Sequence, residues 1–207
     1  MSTKMAKWLF FDVGTTLVDE TAAYNHRIRD AIEGTDITFE QFQKKRVFFA
    51  KQNLKGDLEA IKYFGLKKTP WPKEDEVPYP DAEDVLRYLC RQGYKVGVIA
   101  NQSPGTAKRL EKWGLLQYID VVAASAEIGV AKPDRAIFDK ALEMVGCAAQ
   151  DAVMIGDRLD NDISPAKKLG MKAIWIRQGF AIYQNPENAE YQPEYIVDSL
   201  SELKELL

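Results

Sequence analysis

The sequence predicts a doubly wound α/β domain, built on one parallel sheet and interrupted by a small all-helical subdomain. Three observations carry that prediction. Short apolar runs recur along the chain, nearly continuous rather than alternating, as strands covered on both faces read. Stretches of helical length separate the later runs, with Pro near their starts and Gly just past their ends. One long interval, residues 18–78, holds helical patterns and no clear strand.

Taken in order, the first strand is expected over Trp8–Phe11, where "WLFF" runs straight into Asp12 and the small segment Val13-Gly14-Thr15-Thr16. The insert follows. "ETAAYNHRIRDAIEG" and "TFEQFQKKRVFFAKQN" space apolar residues three and four apart, and "GDLEAIKYFGL" comes after them. Four prolines between Pro70 and Pro80 make "TPWPKEDEVPYP" a stiff return linker. Arg27, Arg29, Lys44, Lys45 and Arg46 read as a solvated face of this insert. Beyond it, strands are expected over Val96–Ala100, Val121–Ala124, Ala152–Ile155 and Ala173–Ile176. Helices are expected over residues 81–92, 104–113, 133–145 and 164–169. These bounds give a core of residues 1–17 and 79–207 and a helical insert of residues 18–78.

Composition narrows the function. The 207 residues are 46% hydrophobic and 29% charged, ordinary for a soluble globular chain. A net charge of −3 gives no strongly basic face, so nucleic acid is not an expected partner. No apolar run approaches a membrane span or a signal-peptide core, so no membrane partner and a cytoplasmic location are expected. Cys90 and Cys147 form no CxxC pair and are expected to be buried free thiols in helical stretches. A single histidine, His26, argues against a Ser-His-Asp triad and against a multi-histidine metal site. Nothing in the sequence separates a monomer from a homodimer.

In an open α/β sheet, ligands bind beyond the carboxyl ends of the strands. Asp12 follows the first run and Asn101 the second; Lys132 lies on the loop after the third; "GDRLDND", residues 156–162, follows the fourth. Each has a bland reading: Asp12 can end a strand or cap a helix, Lys132 can be a surface lysine, and Asp160 can be a cap. Their coincidence at one sheet edge points to a site. Asp157, Asp160 and Asp162, with Asp12, are the donors a hard divalent cation such as Mg²⁺ takes alongside waters and phosphate. A lysine beside them can offset the charge of a carboxylate nucleophile and of a phosphate together.

These residues resemble the motifs of the haloacid dehalogenase superfamily of hydrolases over nearly the whole chain. "DVGTTLVD" is similar to the first motif, with Asp12 as nucleophile; "VGVIANQ" to the second, with Asn101; "GVAKPDRAIF" to the third, with Lys132; and "GDRLDND" to the fourth, with Asp157 and Asp162 as its acidic pair. The insert resembles the helical cap of that family, on a Rossmann-like core. The resemblance implies attack by Asp12 on a small phosphorylated metabolite, an aspartyl-phosphate intermediate and its hydrolysis. It implies Mg²⁺ held by Asp12, Asp157 and the Gly14 carbonyl, with Asp162 in support, and catalytic help from Lys132. It assigns phosphate contacts to Gly14, Thr16, Asn101, Gln102 and Lys132.

Two positions depart from that pattern. Family phosphatases carry a second aspartate two residues after the nucleophile, where it protonates the leaving group; here that residue is Gly14. A Ser or Thr usually precedes the second-motif Asn; here it is Ala100. Asp19, Glu20 and Asp160 are the candidates to supply the proton instead. Three readings follow: a Mg²⁺-dependent phosphohydrolase, slow or tuned to an activated leaving group; a metal-free 2-haloacid dehalogenase, against which Asp157 argues; and a catalytically weak binding protein of the same fold.

Overall fold

The computed structural model describes residues 6–187 and 192–207; residues 1–5 and 188–191 of the expected core lie outside the described residues. The sheet strands are β1 (Trp8–Phe11), β4 (Lys95–Ala100), β5 (Val121–Ala124), β6 (Ala152–Gly156), β7 (Lys172–Ile176) and β8 (Tyr195–Val197). The strands β2 (Val18–Asp19) and β3 (Val77–Pro78) form a separate antiparallel pair. The helices are α1 (Thr21–Ile32), α2 (Phe39–Ala50), α3 (Gly56–Tyr63), α4 (Ala82–Arg91), α5 (Thr106–Lys112), α6 (Ser125–Ile128), α7 (Arg135–Val145), α8 (Ser164–Leu169) and α9 (Leu203–Leu206).

The large sheet has the order β5-β4-β1-β6-β7-β8, and all its pairings are parallel. The chain builds outward from β1 through β4 to β5, then crosses back to place β6 on the other side of β1. That reversal opens a crevice at the carboxyl end of β1, where ligands of such sheets sit. Successive side chains of β1 point to opposite faces. Leu9 and Phe11 join one buried cluster with Val98, Ile155 and Leu86; Phe10 joins another with Ile99, Met154 and Phe138. Burial on both faces is why β1 and its neighbours read as unbroken apolar runs.

Local signals explain the helix ends. Thr38 and Gln41 form a reciprocal capping box at the start of α2. Gly146 and Gly170 end α7 and α8 in the left-handed conformation that a side chain would disfavour. Proline punctuation is weaker than expected. Pro165 sits in the first turn of α8, but α5 starts after Pro104 and Gly105, and Asp134 caps α7 rather than Pro133.

Helices α1–α3 pack around their own apolar cluster of Ile28, Phe42, Ala60 and Ile61. The β2–β3 pair closes the base of this insert, pairing Val18 with Pro78 and Asp19 with Val77. On its far side the insert is clasped to the core: Asn53 Nδ2 donates to the Asn185 carbonyl and Asn185 N–H to Asn53 Oδ1, each at 2.8 Å. The expectation of a solvated basic face therefore fails for two residues. Arg27 and Arg46 are buried, because they lie on the helix faces turned inward. Arg27 pairs with Asp57 at 3.2 Å, and the Arg46 guanidinium lies over the rings of Tyr24 and Phe180. The cysteines are free thiols as expected, but both are only half-buried, and Cys147 lies just past the end of α7.

Candidate active site

Asp12 stands one residue beyond β1, where its backbone N–H donates to the Ile155 carbonyl of β6 at 2.9 Å. The ladder thus continues through Asp12 and fixes its direction. The chain then turns sharply: the N–H groups of Thr16, Leu17 and Val18 all point at the Val13 carbonyl, and Gly14 bridges to Val18. Thr15 takes a left-handed φ of 57° within this turn.

Lys132 comes from the loop before α7 and is buried beneath Asp12. Its ammonium has three acceptors: Asp12 Oδ1 at 2.8 Å, Asp162 Oδ1 at 2.6 Å and the Ile99 carbonyl at 2.8 Å. Three donors are thereby used, so the ammonium has one position. Asn101, expected to hold phosphate, spends its amide on the Lys132 backbone. It accepts from Lys132 N–H at 2.7 Å and donates to the Lys132 carbonyl at 2.8 Å. Gln102 is tied to Arg109, which donates to its Oε1 at 2.8 Å.

Asp157 follows β6 directly, and Asp162 lies on the π-helical turn Leu159–Ile163. Gly156 makes room for it: a Cβ there would lie 2.5–2.6 Å from the Asp162 side chain. Asp162 Oδ2 also accepts from the Arg158 N–H at 3.0 Å. Asp12, Asp157 and Asp162 each place a carboxylate oxygen within 4.8 Å of the others.

Electrostatics follow from this crowding. Burial raises the Asp12 carboxyl above its usual range; Lys132 pulls it back and Asp162 pushes it further up. Burial, then Asp162 and Asp12, hold Asp157 well above the usual carboxylate range. Burial works against the Lys132 charge, but Asp12 and Asp162 outweigh it and raise its pKa. Lys132 pairs with Asp12 and Asp162 and not with Asp157, so the three clustered carboxylates carry more negative charge than the lysine offsets, a donor set that fits a hard divalent cation.

A cavity of about 330 Å³ lies above, with Asp12, Gly14, Asn101, Gln102 and Asp157 on its core side. Arg27, Lys55, Lys68 and Trp71 of the insert contribute the opposite wall. Lys132 and Asp162 lie below, holding the residues that do face it. Thr16 is fully buried with its hydroxyl unpartnered; Thr15, not Thr16, lines the cavity from the core side.

The three candidate proton sources separate clearly. Asp19 accepts from the Thr21 N–H at 2.8 Å and serves as a turn cap. Asp160 is paired with Arg158. Glu20 alone lines the cavity; burial first, then Asp12 and Glu76, push its carboxyl up to about 8.

The fold is thus an α/β protein with a parallel sheet and an acidic cluster at its switch point. The chain belongs to the haloacid dehalogenase-like hydrolase family, whose model matches residues 6–170. It is 33% identical to a glyceraldehyde 3-phosphate phosphatase of Pyrococcus abyssi, over 84% of this chain and 83% of that protein. It is 38% identical to the corresponding protein of Methanocaldococcus jannaschii; that match takes in 63% of this chain and only 56% of the relative's length. Among solved structures, a HAD phosphatase of Thermococcus onnurineus superposes with a TM-score of 0.66 at 25% identity, covering 97% of both chains. Among the described residues, no helix is long and apolar enough to cross a membrane.

Proposed function

We propose that this protein is a Mg²⁺-dependent phosphohydrolase that acts on a small phosphorylated metabolite through a covalent aspartyl-phosphate. The observation that carries the reading is Asp12 itself: a carboxylate on the wall of a cavity, aimed by the end of a buried strand and held by Lys132, with Asp157 and Asp162 beside it. Residues 18–78 serve as the cap over that cavity. Its wall brings Arg27, Lys55 and Lys68 towards an anionic substrate. The names of the relatives point to phosphate-ester chemistry.

Asp12, Asp157 and Asp162 are the residues that would hold the metal, with the Gly14 carbonyl as a further donor. The metal would offset negative charge on the phosphoryl group during transfer. Asp12 Oδ attacks phosphorus in line, and the bond to the ester oxygen breaks. Water then cleaves the aspartyl-phosphate, returning Asp12 and releasing phosphate. Lys132 keeps Asp12 in its orientation and ionised, and Asn101 anchors the loop that carries Lys132.

A panel of phosphorylated metabolites and an acyl phosphate, assayed with Mg²⁺ and with EDTA, tests this. Turnover is expected only with Mg²⁺, and Asp12→Asn is expected to abolish it while the melting curve is kept. A folded Asp12→Asn protein with the wild-type rate on the best substrate would eliminate the covalent route.

A further inference from the structure

The cavity holds one carboxylate that the chemistry above leaves without a task. Glu20 is 8% exposed and sits at the junction of β2 and α1. Three carboxylates line the cavity, and two of them, Asp12 and Asp157, belong to the acidic cluster. Glu20 stands outside that cluster. Its hydrogen-bond partner is the Thr15 hydroxyl, which donates to Oε2 at 3.2 Å. No arginine or lysine lies within ion-pair distance of it among the described residues. A buried carboxyl group facing a reaction cavity without a cation calls for an explanation.

The turn after Asp12 shows why it is there. The bridge from Gly14 to Val18 folds the chain back, so that residue 20 returns beside residue 14. A Cβ on Gly14 would lie 2.6 Å from Glu20 Cδ and 2.7 Å from Oε2. The Glu20 carboxyl therefore fills the space of a side chain at position 14, two residues from Asp12, and only a glycine leaves it room.

We propose that Glu20 is the general acid–base of this site, reaching from the start of α1 into the space that Gly14 leaves open. The proposal rests on the reading of Asp12 as the nucleophile of phosphate-ester hydrolysis. An alkoxide is a poor leaving group and needs a proton as the P–O bond breaks. Lys132 is unsuited to give it, since its three N–H groups are taken up beneath Asp12. In the first step Asp12 Oδ bonds to phosphorus, and the electron pair of the breaking P–O bond goes to the ester oxygen. The Glu20 proton goes to that same oxygen, giving the free alcohol and a Glu20 carboxylate. In the second step Glu20 takes a proton from water as the water oxygen bonds to phosphorus. The pair of the breaking bond returns to Asp12, phosphate leaves, and Glu20 is again the acid.

The test compares leaving groups. Wild type and Glu20→Gln are assayed with Mg²⁺ on an alkyl phosphate and on 4-nitrophenyl phosphate, with melting temperatures measured alongside. General acid help is worth about 10² to 10⁴ in rate. The alkyl kcat/KM of Glu20→Gln should fall by about 10²-fold or more, and the aryl value by less than about tenfold, since nitrophenolate leaves without a proton. A loss caused by disturbed packing would strike both esters equally; an equal loss, or none, overturns the proposal. The double variant Gly14→Asp/Glu20→Ala puts a carboxylate back into the same space from the other side. It should regain at least about tenfold over Glu20→Ala on the alkyl ester, and a folded double variant with no such gain also counts against Glu20. If the wild type hydrolyses neither these esters nor the wider panel, the phosphohydrolase reading itself falls and this one falls with it. If the wild type turns over and Glu20→Gln keeps the alkyl rate, this one alone is lost.

Discussion

The floor and the roof of the cavity are built by opposite means. The floor is strand ends: Asp12 after β1 and Asp157 after β6, with Lys132 locked between Asp12, Asp162 and the Ile99 carbonyl. The roof is a three-helix insert with its own small apolar cluster, joined to the core through the β2–β3 pair and the reciprocal Asn53–Asn185 bonds. On the floor each buried donor of Lys132 has an acceptor, and the excess negative charge is gathered at Asp157. On the roof, Arg27 has one ion pair while its Nε and Nη2 have no partner, and Arg46 rests on ring faces. A floor whose geometry is over-determined can hold reacting groups within a fraction of an ångström. The roof rests on the core through the Asn53–Asn185 bonds and through Arg46 over the Phe180 ring.

The largest way to break this contrast is to remove the cation from the floor. Lys132→Met fills the space with an apolar chain but leaves Asp12 and Asp162 as unpaired buried carboxylates. Removing one partner of a buried ion pair costs about 3–5 kcal/mol. Urea unfolding in EDTA should show a loss of that order, and added Mg²⁺ should recover more stability in the variant than in wild type. An unchanged urea midpoint would mean that Lys132 is not what holds the floor together.

A smaller effect sharpens the same point from the metal side. Asp157 is held well above the usual carboxylate range by burial and by Asp162 and Asp12, so its ionised form strains the metal-free site. Asp157→Ala should therefore be at least as stable as wild type in EDTA. A ligand at a hundred times its Kd stabilises by about 2.7 kcal/mol. Mg²⁺ at saturating concentration should raise the wild-type melting temperature accordingly, and that of Asp157→Ala much less. Equal shifts in the two proteins would remove Asp157 from the metal site.

The floor was legible in the sequence because its parts are local. Strands buried on both faces print as apolar runs, and the residues that follow them land on one edge by topology alone. Asp12, Asn101, Lys132 and Asp157 were all placed that way. What the sequence left out depends on folding back. The strands β2 and β3 are two residues each, and β8 is three, with Tyr195 and Ile196 exposed, too short and too wet to print a pattern. Asp19, Glu20 and Asp160 looked equivalent as proton donors, since spacing along the chain does not show which carboxylate returns to Gly14. The Gly14–Val18 bridge decides it, and that is a tertiary fact. The inward turn of Arg27 and Arg46 was hidden for the same reason: a basic residue on an amphipathic helix is solvated until another layer covers it.

The smallest predicted effect belongs to the roof and carries a pH signature. His26 on α1 places Nδ1 2.7 Å from Asp75 Oδ2, tying α1 to the return segment, with Asp30 at 3.7 Å from Nε2. The hydrogen bond to Asp75 is the first cause that raises the imidazole above its ordinary value; desolvation opposes it, and Asp30, Asp75 and Glu74 add charge attraction. The folded state thus favours the protonated ring. Its contribution to stability is fully present below the unfolded pKa, near 6.5, and is lost as pH rises through the higher folded value. His26→Ala should lower the melting temperature slightly at about pH 5 and hardly at all at about pH 9, where the ring is neutral in both states. The side chains are partly exposed, 46% for His26 and 30% for Asp75, so salt near 1 M should erase most of the difference. Lys132 and its partners on the floor, shielded from solvent, should show no such salt sensitivity. A deficit in His26→Ala that persists at high pH and high salt would mean that the ring acts through packing, and the two regions would then differ less in kind than their charges suggest.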